Sequence, residues 1–133
     1  MTGVTHVLTI LAVRDLSRAQ AFYSAAFGWE VAEAVPVYVE YALPGGMRLG
    51  LYAREAFGLN TGQVPALPEP GGLSGTEVYC HCEDLTLAAD RLAQAGARLL
   101  SPAAPRPWGD EAAYFADPDG NVLVVARPLV PSG

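Results

Sequence analysis

The sequence predicts an α+β fold built from two βαβββ repeats. Three observations carry that prediction. Two aspartates, Asp15 and Asp84, stand immediately before helical stretches, and each stretch stops at a glycine, Gly28 or Gly96. Two turn sequences, Leu43-Pro44-Gly45-Gly46 and Asp117-Pro118-Asp119-Gly120, each lie between apolar runs. The strands after those turns end alike, in Ala53-Arg54 and Ala126-Arg127. The two aspartates are 69 residues apart and the prolines Pro44 and Pro118 are 74 apart, so the copies drift only by a few residues of loop. Internal repetition of this kind outranks any local motif.

Taken in order, the first repeat covers residues 4–54. Val7–Val13 is apolar except at Thr9 and reads as a strand. Asp15 caps a helix over Leu16–Phe27, in which Leu16, Ala19, Phe22, Tyr23 and Ala26 recur at helical spacing. Gly28 supplies the left-handed stop. Trp29–Val35 is a second strand, ended by Pro36. Val37–Ala42 is a third, with Tyr38 and Glu40 on one face and Val37, Val39 and Tyr41 on the other. Met47–Arg54 is the fourth.

Residues 55–75 change character. Asn60-Thr61-Gly62, Pro65, Pro68, Pro70 and Gly71-Gly72 predict a long irregular linker. Phe57 and Leu59 are expected to fold over a pocket edge.

The second repeat covers residues 76–128. Glu77–Glu83 is a strand, and Asp84 caps a helix over Leu85–Ala95 that buries Leu85, Ala88, Ala89 and Leu92. Ala97–Leu100 is the next strand and Ser101–Gly109 a loop rich in Pro and Ala. Asp117-Pro118-Asp119-Gly120 then joins the last two strands. Asp at the first position bonds the turn backbone, Pro presets φ, and Gly accepts a positive φ.

Composition narrows the function. The net charge is −6 and the pI about 4.7, and all eight basic residues are scattered arginines. A nucleic-acid surface needs clustered Lys and Arg, so none is expected. No apolar run reaches the ~18 residues of a membrane span, and the N-terminus lacks a signal-peptide pattern. A cytoplasmic protein is expected. Cys80 and Cys82 lie on one strand face, ~6.5–7 Å apart. That is too far for an unstrained disulfide, and the spacing is not that of a zinc pair.

Val13-Arg14-Asp15-Leu16, Phe22-Tyr23 and Phe27-Gly28-Trp29 in the first half resemble the first-helix signature of the vicinal oxygen chelate superfamily. Its members include glyoxalases, bleomycin-resistance proteins and extradiol dioxygenases. Gly96-Ala97, Pro107-Trp108-Gly109 and Phe115-Ala116-Asp117-Pro118-Asp119-Gly120-Asn121 resemble its second-half signature. The resemblance spans nearly the whole chain. It implies a curled mixed sheet with helices on the outer face and a concave cleft on the other.

Metal-dependent relatives take ligands from four strands. The positions lie about seven residues before each capping Asp and about four after each hairpin Gly. Here those positions are Leu8, Glu77, Val124 and either Gly50 or Leu51, and of these only Glu77 could donate to a metal. His6 and His81 are displaced in opposite directions along their strands and read as a solvated strand end and a wall residue. The expectation is no cofactor, with a divalent ion at a shifted site as the alternative.

Strand parity puts Leu8, Ile10, Glu77, Tyr79, His81, Val122 and Val124 on the cleft wall. Tyr38 and Glu40 share a face of the third strand, and Trp108 and Tyr114 lie near the hairpin. Aromatic walls stack on planar ligands and carboxylates favour cationic ones. The resemblance therefore implies a metal-free small-molecule-binding protein, like the bleomycin-resistance relatives. The alternative is a lyase, isomerase or dioxygenase-type enzyme, working through a shifted metal or a Glu77/His81 acid–base pair. A third class is an interaction module without a small-molecule role. A homodimer is expected, since curled sheets leave edge strands that need cover.

Overall fold

Each repeat folds into its own four-stranded sheet. The computed structural model describes residues 2–129. The elements are β1 (Leu8–Val13), α1 (Leu16–Phe27), β2 (Glu30–Val35), β3 (Tyr38–Ala42), β4 (Arg48–Ala53), α2 (Arg54–Thr61), β5 (Glu77–His81), α3 (Leu85–Ala95), β6 (Arg98–Pro105), β7 (Asp110–Ala116) and β8 (Val122–Pro128). The strand orders are β1-β4-β3-β2 and β5-β8-β7-β6, the same pattern twice. In each sheet the first and last strands of the repeat pair in parallel and the remaining neighbours are antiparallel. The described residues divide into two compact units, 2–24 with 28–66, and 25–27 with 67–129. Among the described residues no helix is long and apolar enough to cross a membrane.

In the first unit, Leu11 and Val13 of β1, Val39 and Tyr41 of β3, and Leu49 and Leu51 of β4 share one face and are all buried. Burying each such side chain is worth ~1.5–3 kcal/mol. Tyr41 fixes α1 to that face. Its hydroxyl donates to the Gln20 carbonyl at 3.0 Å and shares a 2.8 Å hydrogen bond with Ser24 Oγ. The Asp15 side chain accepts from the Arg18 amide at 3.0 Å, and Gly28 turns the chain out with φ 66°. The opposite face carries Leu8, Ile10, Tyr38, Glu40, Arg48, Gly50 and Tyr52 and stays open to solvent in part.

The second unit repeats the logic. Asp84 accepts from the Leu87 amide at 3.0 Å, and Leu85 and Leu92 of α3 are buried. Ala113, Phe115, Leu123 and Val125 are buried on one face of the sheet. On the other face Ala112, Val124 and Ala126 form a buried cluster flanked by Tyr114 and Val122.

The 55–75 segment departs from the irregular linker expected. Arg54–Thr61 is a helix ending at Gly62 with φ 83°. It has no side-chain cap, because Ala53 precedes it, and Gly58 interrupts its middle. Both features hide a helix from sequence patterning. Residues 67–75 then form a strap across the second hairpin. The Ser74 amide donates to the Gly120 carbonyl at 2.8 Å, and Ser74 Oγ to Asn121 Oδ1 at 2.7 Å. Asp117 Oδ1 accepts from the Asp119 and Asn121 amides, each at 2.9 Å, which closes the turn.

A second correction concerns residues 101–105, expected as loop. β6 continues to Pro105, with register shifts after Leu99 and Ser101. An edge strand tolerates Pro102 and Pro105, which lack amide donors, and bulges absorb the mismatch.

Candidate functional site

β5 is the clearest source of site residues. Its burial alternates strictly, with Glu77, Tyr79 and His81 exposed and Val78 and Cys80 half-buried. The register sets Tyr79 opposite Val124, which faces Tyr114, and sets His81 opposite Ala126. Asp110 begins β7 on the same face, four residues before Tyr114. Its Oδ2 accepts from the Tyr79 hydroxyl at 2.5 Å and lies 3.2 Å from His81 Nε2. Trp108 Nε1 donates to the Tyr79 hydroxyl at 2.8 Å. Four side chains, Trp108, Tyr79, Asp110 and His81, thus form one hydrogen-bonded chain.

Its electrostatics follow from that wiring. The Tyr79 and His81 bonds hold the Asp110 carboxyl below the usual carboxylate range. Partial burial, and then the bond to Asp110, push the Tyr79 phenol up, so it remains a donor at neutral pH. Trp108 is 57% exposed and Tyr79 38% exposed. Both exposed rings are instead engaged by hydrogen bonds, Trp108 to Tyr79 and Tyr79 to Asp110.

The Glu77/His81 pair expected from sequence is not assembled. Glu77 stands opposite Val122 at one end of β5, and His81 opposite Ala126 at the other. Asp110 is the carboxylate that reaches His81. Val124, expected as wall, has 0% exposure and belongs to the buried cluster. Tyr114 packs against that cluster, and the Arg106 guanidinium lies 4.9 Å over its ring.

In the first unit Leu8 and Ile10 share the open face with Tyr38 and Glu40. The Tyr38 hydroxyl donates to Glu40 Oε1 at 2.7 Å, and Arg48 Nη1 donates to Glu40 Oε2 at 2.6 Å. These two bonds lower the Glu40 carboxyl. Burial, and then the bond to Glu40, push the Tyr38 phenol well above its ordinary range. A cavity of about 580 Å³ opens beside this pair, lined by Thr5, His6, Leu8, Glu40, Met47 and Arg48. Another, of about 470 Å³, lies at the start of α3 among Glu83, Asp84, Asp90, Glu111 and Arg127, and includes none of the residues expected from sequence.

The register also decides between Gly50 and Leu51. Gly50 pairs with Ile10 and Glu40 on the open face, whereas Leu51 is 0% exposed on the helix face. The four family ligand positions are therefore Leu8, Gly50, Glu77 and Val124. Three offer no side-chain lone pair, and the described residues contain no group of three or more His, Cys, Asp or Glu arranged for a metal. A divalent ion needs roughly three protein donors. The residues present do not fit one.

Asp110, Arg48 and Tyr52 escaped the sequence reading. Asp110 shares its parity with Tyr114, which was a candidate, so strand alternation alone could have placed it on that face. Its bonds to Tyr79 and His81 join strands that are not neighbours in the sheet, and parity does not reveal those.

A glyoxalase-related enzyme from Fulvimarina pelagi is 25% identical, with 96% of this chain and 88% of that chain covered and a TM-score of 0.80. A glyoxalase/bleomycin resistance protein/dioxygenase from Nocardioides is 24% identical over 100% of this chain and 88% of that one, also with a TM-score of 0.80. Lactoylglutathione lyase from Agrobacterium tumefaciens is 22% identical over 92% of each chain, with a TM-score of 0.69. Comparison with curated proteins finds no match. The family model matches residues 3–125, and with the twice-repeated sheet it establishes that the chain belongs to the Glyoxalase/Bleomycin resistance protein/Dioxygenase superfamily.

Proposed function

We propose that this protein binds a planar, cationic small molecule without a metal and sequesters it, in the manner of an antibiotic-resistance protein, as a cytoplasmic homodimer. The observation that supports this reading is the Trp108–Tyr79–Asp110–His81 chain on the open face of the second sheet. Hydrogen bonds fix the rings before any ligand arrives, so little rotamer entropy is lost on binding. Asp110 and Glu77 place carboxylates beside the aromatic surface, and a net charge of −6 adds a favourable field for cations. The unsuitable donor set argues against a metal role.

A thermal-shift series with planar cationic dyes tests the reading. Stabilisation of the wild type that is lost in Trp108→Ala is expected. Metal analysis of purified protein should find well under about half an ion per chain, since a resident site would approach one. A higher content, or no dye that stabilises, overturns the proposal.

A second reading has its own support. His81 Nε2 lies 3.2 Å from Asp110 Oδ2, a carboxylate–imidazole pair that suits general acid–base catalysis. The enzyme alternative then runs through His81 and Asp110 in place of Glu77. Turnover of a carbonyl substrate that is lost in His81→Gln would favour it over sequestration.

A further inference from the structure

Both hydrogen bonds that Asp110 accepts fall on one oxygen. The Tyr79 hydroxyl donates to Oδ2 at 2.5 Å, and His81 Nε2 lies 3.2 Å from the same atom. Oδ1 accepts nothing among the described residues, so it is the oxygen left for a ligand. The partners respond differently to pH. Partial burial and then Asp110 push the Tyr79 phenol up, so it stays a neutral donor at and below neutrality. The Asp110 carboxyl is held low, first by Tyr79, so it stays an anion there. Histidine is the side chain that gains a charge between about pH 8 and 5. The His81 side chain is 59% exposed against 13% for Asp110, so solvent protons reach it directly.

Nothing else on that face of the unit duplicates the change. On β5 itself, Tyr79 meets the His81 ring with centroids 6.0 Å apart, and Glu77 is four residues away, about 13 Å along the strand. From β8 the partner is uncharged Ala126. From β7 come Asp110 and Tyr114, with uncharged Ala112 between them. Arg106 lies over Tyr114, with its guanidinium bonded to Ser101 and to the Pro102 and Ala112 carbonyls. Glu111 and Arg127 alternate onto the opposite face and pair with each other at 2.9 Å.

We infer that His81 is a proton-operated gate on this site: neutral, it leaves the Asp110 charge to a cationic ligand, and protonated, it neutralises Asp110 and repels that ligand. The inference rests on the binding function proposed above and adds the condition that releases the ligand. No backbone movement is needed. The neutral ring donates from Nε2 to Oδ2, and one added proton turns the same contact into an ion pair. Two cations then compete for one carboxylate. Affinity is therefore full above the imidazole range and is lost as pH falls through it. By reciprocity, a bound cation makes His81 harder to protonate.

The probe is proflavine, cationic throughout this range, titrated by fluorescence at low salt at about pH 8 and about pH 5. Melts at both values establish that each variant is folded. The wild type should bind about five- to tenfold more tightly at the higher pH, the repulsion expected of two partly solvated charges a few ångströms apart. His81→Gln cannot take up a proton, and its ratio between the two pH values should collapse to about one, whatever its absolute affinity. His81→Lys is charged at both values and should bind weakly at both. His6→Gln should keep the wild-type ratio. Asp110→Asn should weaken binding at the higher pH about tenfold. Saturating proflavine should also move the midpoint of the His81 ring-proton titration, followed by NMR, to lower pH by up to about one pH unit. Wild-type binding that ignores pH overturns the gate and leaves sequestration standing. A ratio that survives His81→Gln, or vanishes in His6→Gln, overturns the gate, as does an Asp110→Asn variant that binds like the wild type. No binding at either pH overturns the gate and the sequestration reading together.

Discussion

Asp110 takes two hydrogen bonds on a single oxygen, from Tyr79 and from His81. Its folded pKa is lowered, first by the Tyr79 bond. The stability it contributes is therefore present above the ordinary carboxylate range and is lost as pH falls through the lowered folded value. Asp110→Asn should flatten part of the acid limb of a melting-temperature profile below about pH 4. Superimposable profiles for variant and wild type would count against the bonding described. Cys80 offers a second test at this scale. Burial, with Cys82 adding to it, pushes its thiol up to about 11. At pH 8 its thiolate fraction should fall roughly a hundredfold below that of an exposed cysteine, and alkylation by iodoacetamide should slow accordingly. Mass spectrometry of a timed reaction would show whether it does. Rapid modification of Cys80 in folded protein would mean that the strand face is open.

Among the elements, the second hairpin differs from the helix stops. Gly28 and Gly120 both have positive φ, 66° and 85°. A Cβ at Gly28 meets nothing within 4 Å, whereas one at Gly120 falls 2.6 Å from the Gly72 carbonyl oxygen and 2.9 Å from Pro68 Cγ. Gly28→Ala should cost only the left-handed conformation, about 1–2 kcal/mol. Gly120→Ala must also displace the strap, and should cost about 3–4 kcal/mol in all. Urea melts of the two variants read the difference, and equal losses would show that the strap yields freely. The same contrast explains what was legible in the sequence. α1 and α3 could be bounded residue for residue because each is bracketed by a capping Asp and a stop Gly. α2 has neither a cap nor an uninterrupted apolar stripe. β6 was cut short because its prolines signal a loop unless the strand is known to lie at an edge. Strand parity does place Tyr79 and His81 on one exposed face of β5, and a motif singles out Trp108. Their partner Asp110 and the burial of Val124 depend on which strands lie side by side, β5 and β7 both flanking β8, and no local pattern encodes that pairing.

For the whole molecule, charge and exposed edges set the expectations. All eight basic residues are arginine against fourteen acidic ones. Cationic ligands should therefore bind more weakly as salt rises, by a few-fold between about 0.01 and 0.15 M, where the screening length falls from roughly 30 to 8 Å. An affinity for a planar cationic dye indifferent to salt would place the carboxylates outside the binding energy. Edges make the second case. β2 closes one side of its sheet with all six residues exposed, and Val31, Val35 and Val37 present apolar surface there. An unpaired strand edge of that kind costs free energy and invites association. A second copy of the chain covering it would give a particle of about twice 14.0 kDa. Light scattering coupled to gel filtration at micromolar concentration measures that mass directly. Val31→Glu together with Val35→Glu puts charge on both faces of the same strand, and should return the particle to the mass of one chain without lowering α-helical content. A wild-type mass of one chain would remove the dimer from the proposal, and a dimer unmoved by the two glutamates would place its interface away from β2.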